Sequence, residues 1–541
     1  MDPEAPNVLH THSHHATWSR ANEKGVFPGV ATPLNWSIWG EIGERSVRHA
    51  AYDLGLMSEH ELALPDDVDD WMWSIFYGRP AANVDGWRRL YDRGLAGAGA
   101  GEAAERQVFG GASAGRSHSA PSDRRAEVAR KRPRMLSETP GRMRRLREQT
   151  AAFWREVTGH DPLATPERAR SVFREALFHF ERADRCHIAV SLLATEAVTE
   201  ISSAALRAGL PDAANALMIG YPGMEEFETA IALWDLSRNR LSLEDFLGSH
   251  GFHGSQEGEI ASHSWRERPD PVLALARRYE RLGEADDPRE REARAIEKRE
   301  RLEAELRRAL PDDERDGFSQ ALERASVFLP LREAGRATLT LALDAMRAAT
   351  RRLGSRLGDQ GRLLAADDAF LLTRDELLDP PSDVQEIVES RRRLRATYSG
   401  FELPETWQGM PEKQATPSEG VELGQAHAPR LLRGTRIEGL GASAGVHDGT
   451  ARVVLDPSNL DDDFAAGDVL VAPATDPSWA PLFLLAGAVV IDTGSNISHA
   501  AVVAREMGIP AVVSAPEASR RIRSGQRVRV DGSQGTIEIL A

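Results

Sequence analysis

A small polar turn near the C-terminus, Thr493-Gly494-Ser495-Asn496-Ile497-Ser498-His499-Ala500-Ala501, delivers an imidazole to the start of a short helix. The helix is predicted to run to Gly508, with a β run after it. Backbone N–H groups and the macrodipole favour an anion at a helix N-terminus. A phosphoryl group carried on the His499 nitrogen would be such an anion. Histidine suits the task because neutral imidazole, the nucleophilic form, is available near pH 7. Ser498 is placed to orient the ring or cap the helix, and Thr493 and Gly494 form the turn whose amides could hold phosphoryl oxygens. The plain alternative for a lone histidine here is a polar helix cap.

Two kinds of element must position this turn. From about residue 434 the pattern changes to strands alternating with short helices: Ala451–Leu455, Val469–Ala472, Ala488–Ile491, Val528–Val530 and Thr536–Leu540. Residues from about 137 to 400 instead recur at helical spacing, as in Leu331, Ala334, Leu339, Leu343 and Met346. Between them, 408–433 reads as a linker. Residues 1–20 are polar and histidine-rich and are read as a disordered tail. Residues 97–134, with Gly97-Ala98-Gly99 and the basic run Arg130–Arg134, read as a flexible surface insertion. Tryptophans at 36, 39, 71, 73 and 87 argue for a packed core or a stacking surface in the first hundred residues.

The chain has 541 residues and a formal net charge of −16, which argues against nucleic-acid or anionic-membrane binding. Its single cysteine, Cys186, excludes an internal disulfide and a cysteine-rich zinc site. There is no apolar signal core, and no run reaches the ~18 apolar residues of a membrane span. A cytoplasmic protein is the expectation. His10, His12, His14 and His15 could bind a metal only adventitiously, and no metal site is expected. His447 is read as a hairpin-turn residue.

The stretch around His499 resembles the phosphohistidine (mobile) domain of the phosphoenolpyruvate-utilising enzymes. Gly467-Asp468-Val469-Leu470-Val471-Ala472, Thr475-Asp476-Pro477-Ser478-Trp479 and the closing Gly525–Ile537 segment carry the same resemblance. Weaker likeness to rifampin phosphotransferase-like enzymes extends through Phe27–Ser37, Phe76–Asn83, Gly361–Leu377 and Leu403–Gly409. The resemblance implies a multidomain fold: a mainly α-helical acceptor-binding body over 21–407 and a C-terminal α/β swivelling phosphohistidine domain over 434–541. It further implies a phosphotransferase of the dikinase type. No glycine-rich phosphate loop with a paired lysine is evident, so the ATP-grasp domain of the family is expected on a separate partner. ATP and Mg2+ would bind there, and no cofactor is expected on this chain.

In the body, the resemblance places Gly251-Phe252-His253-Gly254-Ser255-Gln256-Glu257-Gly258-Glu259 beside the acceptor pocket, followed by Trp265-Arg266. His253, Glu257 or Glu259 could take the proton from an acceptor hydroxyl. Arg266 could neutralise transferring phosphoryl oxygens. Buried helix ends satisfied by these same side chains are the structural alternative. Two functions stay open: transfer of a phosphoryl group from an ATP-grasp partner through His499 to a small-molecule hydroxyl, or a non-catalytic small-molecule-binding or regulatory protein derived from such an enzyme.

Overall fold

The body is built around two long helices, Pro166–Arg207 and Asp312–Asp359, in a computed structural model. It describes residues 6–540 except 28, 94–108, 110–123, 160–162, 164, 211–212, 416–430, 460–463 and 496–497. Phe173, Phe180, Leu339, Leu343 and Met346 interlock between the two helices, and Trp154 of the helix Arg125–Thr158 closes the same core. The first of the pair has a window apolar enough to cross a membrane, but 67% of that window is buried inside the fold. Its hydropathy is therefore that of a core helix.

A third helix, Pro33–Leu54, lies on the first of this pair. Thr32 caps it by accepting from the Asn35 N–H, proline occupies its first turn, and Gly55 ends it at φ 88°. Beside it a four-stranded antiparallel sheet runs in the order Trp73–Phe76, Arg79–Asn83, Thr17–Ser19, Thr406–Gln408. The sheet joins the start of the body to its end.

That pairing corrects the reading of a disordered N-terminal tail. Over the described residues, 6–20 are packed: Leu9, His10 and Trp18 are fully buried. The His10 Nδ1 accepts the Tyr77 N–H at 3.2 Å. Asp69 accepts from the backbone N–H groups of His14 and His15. The polarity that looked like solvation is matched by a carboxylate more than fifty positions away.

The insertion over 97–134 is also revised at its C-terminal end. Helix Arg125–Thr158 carries the basic run, with Pro133 and Pro140 inside it. Lys131 reaches the Tyr52 carbonyl at 2.6 Å, and Arg132 pairs with Glu196 at 2.9 Å. These partners fix the run against the body. Most of 97–123, and 416–430 of the linker, lie outside the described residues.

The C-terminal module holds an eight-stranded sheet. Its order is Arg436–Glu438, Thr536–Ile539, Arg527–Asp531, Val446–Val453, Val469–Ala472, Ala488–Ile491, Ala511–Val513, Leu440–Ser443. The four strands from Val446–Val453 to Ala511–Val513 are parallel, and the outer pairings are antiparallel. Val469, Leu470, Val471 and Ala472 are all fully buried. A continuous apolar run of this kind is what a parallel strand covered on both faces requires. One face packs on Ala518 and Ile522, the other on the helices Ala480–Leu485 and His499–Met507. His447 lies in the strand Val446–Val453 rather than a turn, with its Nε2 2.8 Å from the Gly467 carbonyl oxygen.

Helices Glu225–Ser237, Asp270–Tyr279 and Pro288–Ala309, from the middle of the chain, pack against the module rather than the centre of the body. Trp234, Tyr279, Phe483, Leu484 and Val503 share one apolar cluster. The Tyr279 hydroxyl donates to the Pro481 carbonyl at 2.8 Å, and the Gly220 N–H donates to the Glu506 carboxylate at 2.9 Å. These contacts hold the module docked against the body.

Candidate functional site

His499 is the first residue of its nine-residue helix, and the left-handed Gly508 at φ 68° ends that helix. The backbone before it turns sharply. Gly494 sits at φ 128°, and a Cβ there would meet the Ser498 Oγ at 2.8 Å. Only glycine fits that position. The Ser498 Oγ donates back to the Ser495 carbonyl at 2.8 Å and caps no helical N–H. Asn496 and Ile497 lie outside the described residues.

His499 is 8% exposed. Its Nδ1 lies 3.1 Å from the Thr475 Oγ1, while its Nε2 is buried with no hydrogen-bond partner. Burial first, then the Arg336 charge, hold the imidazole well below its ordinary 6.5. The result is a neutral histidine with one nitrogen tethered and the other unengaged. This is the state in which an imidazole can act as a nucleophile.

His499 lines a cavity of about 280 Å³ between module and body. The module contributes Thr475, Asp476, Thr493, Gly494 and Ser498 to its wall. The body contributes Trp36, Trp39, Trp73, Leu339, Leu343, Glu257 and Arg336. Trp39 meets Phe27 and Phe180 edge-on, with ring centroids 5.5 and 4.8 Å away. The tryptophans thus serve the core on one side and face the cavity on the other. Thr493 donates to the Pro473 carbonyl at 3.1 Å while also lining the wall.

Arg336 is paired behind the wall, on its own helix. Glu333 lies 3.1 Å from Arg332 and 3.2 Å from Arg336. Burial alone would raise the Glu333 carboxyl, but Arg336 and Arg332 hold it below its ordinary range. Asp476 accepts the Gln256 and Ser478 N–H groups, yet burial and the nearby Glu257 push its carboxyl up to about 7.

The four body candidates are placed in different surroundings. Glu257 lines the cavity and accepts from His253 Nδ1 at 2.8 Å. His253 stands behind it, 2% exposed and away from the cavity wall. Burial opposes a charge on that ring, but Glu257 and Glu225 outweigh it and raise His253 to about 9. Glu259 accepts from the Thr32 N–H and hydroxyl at 3.1 and 2.6 Å, in the body. Arg266 pairs with the fully buried Asp344 at 3.0 Å, and Asp344 also takes Trp154 and Arg347. Glu259 and Arg266 therefore hold the fold together around the site.

Arg336, Asp476 and Thr475 join the site without having been singled out by the sequence. Asp476 and Thr475 had a signal, the Thr-Asp-Pro-Ser segment in which Asp476 caps a short turn at Ser478. Arg336 had none, since it is one arginine among many on a long helix.

Residues 464–535 match the PEP-utilising enzyme mobile domain, and residues 238–333 match the rifampicin phosphotransferase fourth domain. The second match spans two of the helices that pack against the module, Asp270–Tyr279 and Pro288–Ala309. The chain is 33% identical over 311 residues to a rifampicin phosphotransferase of Streptomyces sviceus, covering 56% of this chain and 34% of that protein. It is 30% identical over 323 residues to the uncharacterized phosphotransferase YvkC of Bacillus subtilis, covering 59% and 38%. It is 36% identical over 209 residues to an uncharacterized protein of Mycobacterium tuberculosis, covering 39% and 23%. The chain spans about a third of the length of the phosphotransferases it matches. The chain carries the mobile domain of PEP-utilising enzymes joined to a helical body, and the matches support phosphotransfer as the class of chemistry.

Proposed function

We propose that this chain accepts a phosphoryl group on His499 and passes it to the hydroxyl of a small molecule held in the cavity between module and body. The observation that carries the reading is His499 itself: the first residue of a helix and part of the cavity lining, with a buried Nε2 that has no hydrogen-bond partner.

The steps follow from the side chains. Thr475 Oγ1 accepts from Nδ1–H and leaves the lone pair on Nε2. An ATP-grasp partner, with its own ATP and Mg2+, supplies the phosphoryl group: an N–P bond forms at Nε2 as a phosphoanhydride P–O bond of ATP breaks, and the displaced oxygen leaves with its electron pair on the products released by the partner. In the docked arrangement the acceptor oxygen attacks phosphorus as that N–P bond breaks. The hydroxyl proton passes to the Glu257 carboxylate, and the nitrogen regains its lone pair. Phosphoryl transfer depends chiefly on alignment and charge neutralisation. Arg336, on the cavity wall, supplies positive charge to the moving oxygens. ATP is cytoplasmic, and the reaction is placed there.

The acceptor is a small, largely apolar molecule that carries a hydroxyl. Pockets of about 300–1,000 Å³ hold drug-sized ligands, and this cavity of about 280 Å³ sits just below that range. Trp36, Trp39 and Trp73 offer faces for a flat ring. The relatives named for rifampicin make hydroxylated aromatics the first compounds to screen.

The test is radiolabelling with ATP in the presence of an ATP-grasp protein. Acid-labile, base-stable label on the wild-type chain and none on His499→Ala is the expected result. Equal label on the variant would overturn the assignment. Labelling that never discharges to any hydroxylated acceptor would favour the regulatory reading.

A further inference from the structure

Behind the cavity wall, three metal-ligating side chains from three places in the sequence converge. Glu225 is the first residue of the helix Glu225–Ser237, and His250 is the last of the helix Leu243–His250. His253 follows in the turn after it. One ligand atom from each lies within 4.8 Å of the other two, and the His253 Nε2 is 3.7 Å from the Glu225 Oε1. A zinc ion sits about 2.0–2.2 Å from nitrogen and oxygen ligands. Small side-chain rotations bring this set onto one ion.

The outer groups already point the ligands. The His253 Nδ1 lies 2.8 Å from Glu257, which leaves Nε2 for a metal. The His250 Nδ1 lies 3.2 Å from the Thr229 Oγ1 and leaves its Nε2 likewise. Metal-bound imidazoles characteristically have the second nitrogen anchored in this way. Arg147 bonds both Glu225 oxygens, at 2.9 and 2.8 Å, and fixes the carboxylate plane. A carboxylate has about four lone-pair sites, so coordination capacity remains.

The His253 Nε2 itself is the second observation. The residue is 2% exposed, and this atom has no hydrogen-bond partner. The Glu225 Oε1 at 3.7 Å is an ion-pair partner but too far for a hydrogen bond. A buried polar atom without a hydrogen bond is destabilising, and an ion at the centre of the trio would engage it. His250 is half-buried and gives an entry route.

We propose that Glu225, His250 and His253 form a binding site for one divalent transition-metal ion of the zinc class. Two imidazoles and a carboxylate suit Zn2+ and its neighbours better than Mg2+ or Ca2+. Three protein ligands leave a further position for water. On binding, the proton on the His253 Nε2 leaves to the buffer, and Nδ1–H stays on Glu257. The site stands whether or not His499 carries phosphate.

The experiment uses the full chain, stripped with a chelator and titrated with Zn2+ and Co2+. One equivalent of Zn2+ retained per chain, with visible d–d bands on Co2+ loading, is the expected result. His250→Ala and His253→Ala should lose that equivalent. Thr229→Val should weaken affinity by about tenfold, the lower end for an outer-shell partner. His12→Ala/His14→Ala/His15→Ala should leave it intact. Pulsed EPR of the Cu2+-loaded wild type, which does not depend on any variant folding, should count two imidazoles. No retained equivalent would overturn the proposal. So would an equivalent that survives in both single variants, one that vanishes with the N-terminal histidines, or an EPR count other than two.

Discussion

The Asp476 carboxylate accepts the Gln256 backbone N–H at 2.8 Å, joining the loop before the module's short helix to the body loop that carries His253 and Glu257. It is a direct polar contact between module and body at the cavity wall. Burial and Glu257 push the Asp476 carboxyl from its ordinary 3.8 up to about 7.

A pH dependence of stability follows. The folded chain keeps this proton at pH values where the unfolded chain has released it. The contribution is full below pH 3.8, declines as pH rises, and is lost once pH passes about 7. The thermal midpoint of the wild type should fall across that window. Asp476→Asn cannot ionise, so its midpoint should fall less over the same range. Equal pH slopes in scanning fluorimetry would contradict the assignment.

His499 gives a prediction of opposite character. Its imidazole is held well below 6.5, first by burial and then by Arg336. In the docked chain the ring should therefore show no protonation step near 6.5. Thr475→Val removes the Nδ1 partner at 3.1 Å and should slow loading by about 2- to 10-fold, the kinetic equivalent of one net hydrogen bond. An NMR pH titration of the ring checks the first, and initial labelling rates check the second. A ring that titrates at the ordinary imidazole value would count against the buried, neutral histidine.

Arg336 separates loading from transfer. It lies on the cavity wall contributed by the body, 3.2 Å from Glu333. Arg336→Ala should leave the His499 label in place and slow its discharge to an acceptor by about 100-fold, the lower range for losing one transition-state donor. Single-turnover discharge of the labelled chain measures it. Loss of loading with normal discharge would reverse the assigned role.

What the sequence disclosed depended on how local each signal was. Val469–Ala472 and Ala488–Ile491 were legible because short, valine-rich apolar runs behind Gly467 and Gly487 have the length, composition and flanks of strands covered on both faces. The helix from His499 to Met507 was legible from its own ends, the polar turn and Gly508. The N-terminal segment was not, because Asp69 and the strand Arg79–Asn83, far along the chain, satisfy its polar groups. The helix Arg125–Thr158 was hidden by its two prolines and by a basic run whose partners, Tyr52 and Glu196, are remote. In the site, the turn at Thr493–His499 is one continuous piece. Glu257 and Arg336 meet it only through tertiary packing, which helical spacing does not reveal.

The N-terminal segment can be tested by stability. Trp18 is fully buried, packs edge-on to Phe76 at 5.0 Å, and its Nε1 donates to the Ser13 Oγ at 2.8 Å. Trp18→Ala should cost about 3–5 kcal/mol, the usual range for a buried tryptophan. Chemical denaturation of the full chain reads the change. A loss below about 1 kcal/mol, the size of an ordinary surface effect, would return residues 6–20 to the status of a tail.

The docked position of the module can be weakened without touching His499. The Tyr279 hydroxyl is buried and donates to the Pro481 carbonyl, in the first turn of the helix packed under the sheet. Tyr279→Phe keeps the ring in the apolar cluster shared by Trp234 and Phe483 and removes one hydrogen bond to a carbonyl that also lies inside its own helix. One net hydrogen bond is worth about 0.5–1.5 kcal/mol, and the loss falls on the docked state alone. The docked equilibrium constant should therefore drop by about 2- to 10-fold. A distance label between the body and the module, read by single-molecule fluorescence, should shift toward the longer separation. An unchanged distance distribution would mean that the cluster around Tyr279 holds the module in place with no help from this hydrogen bond.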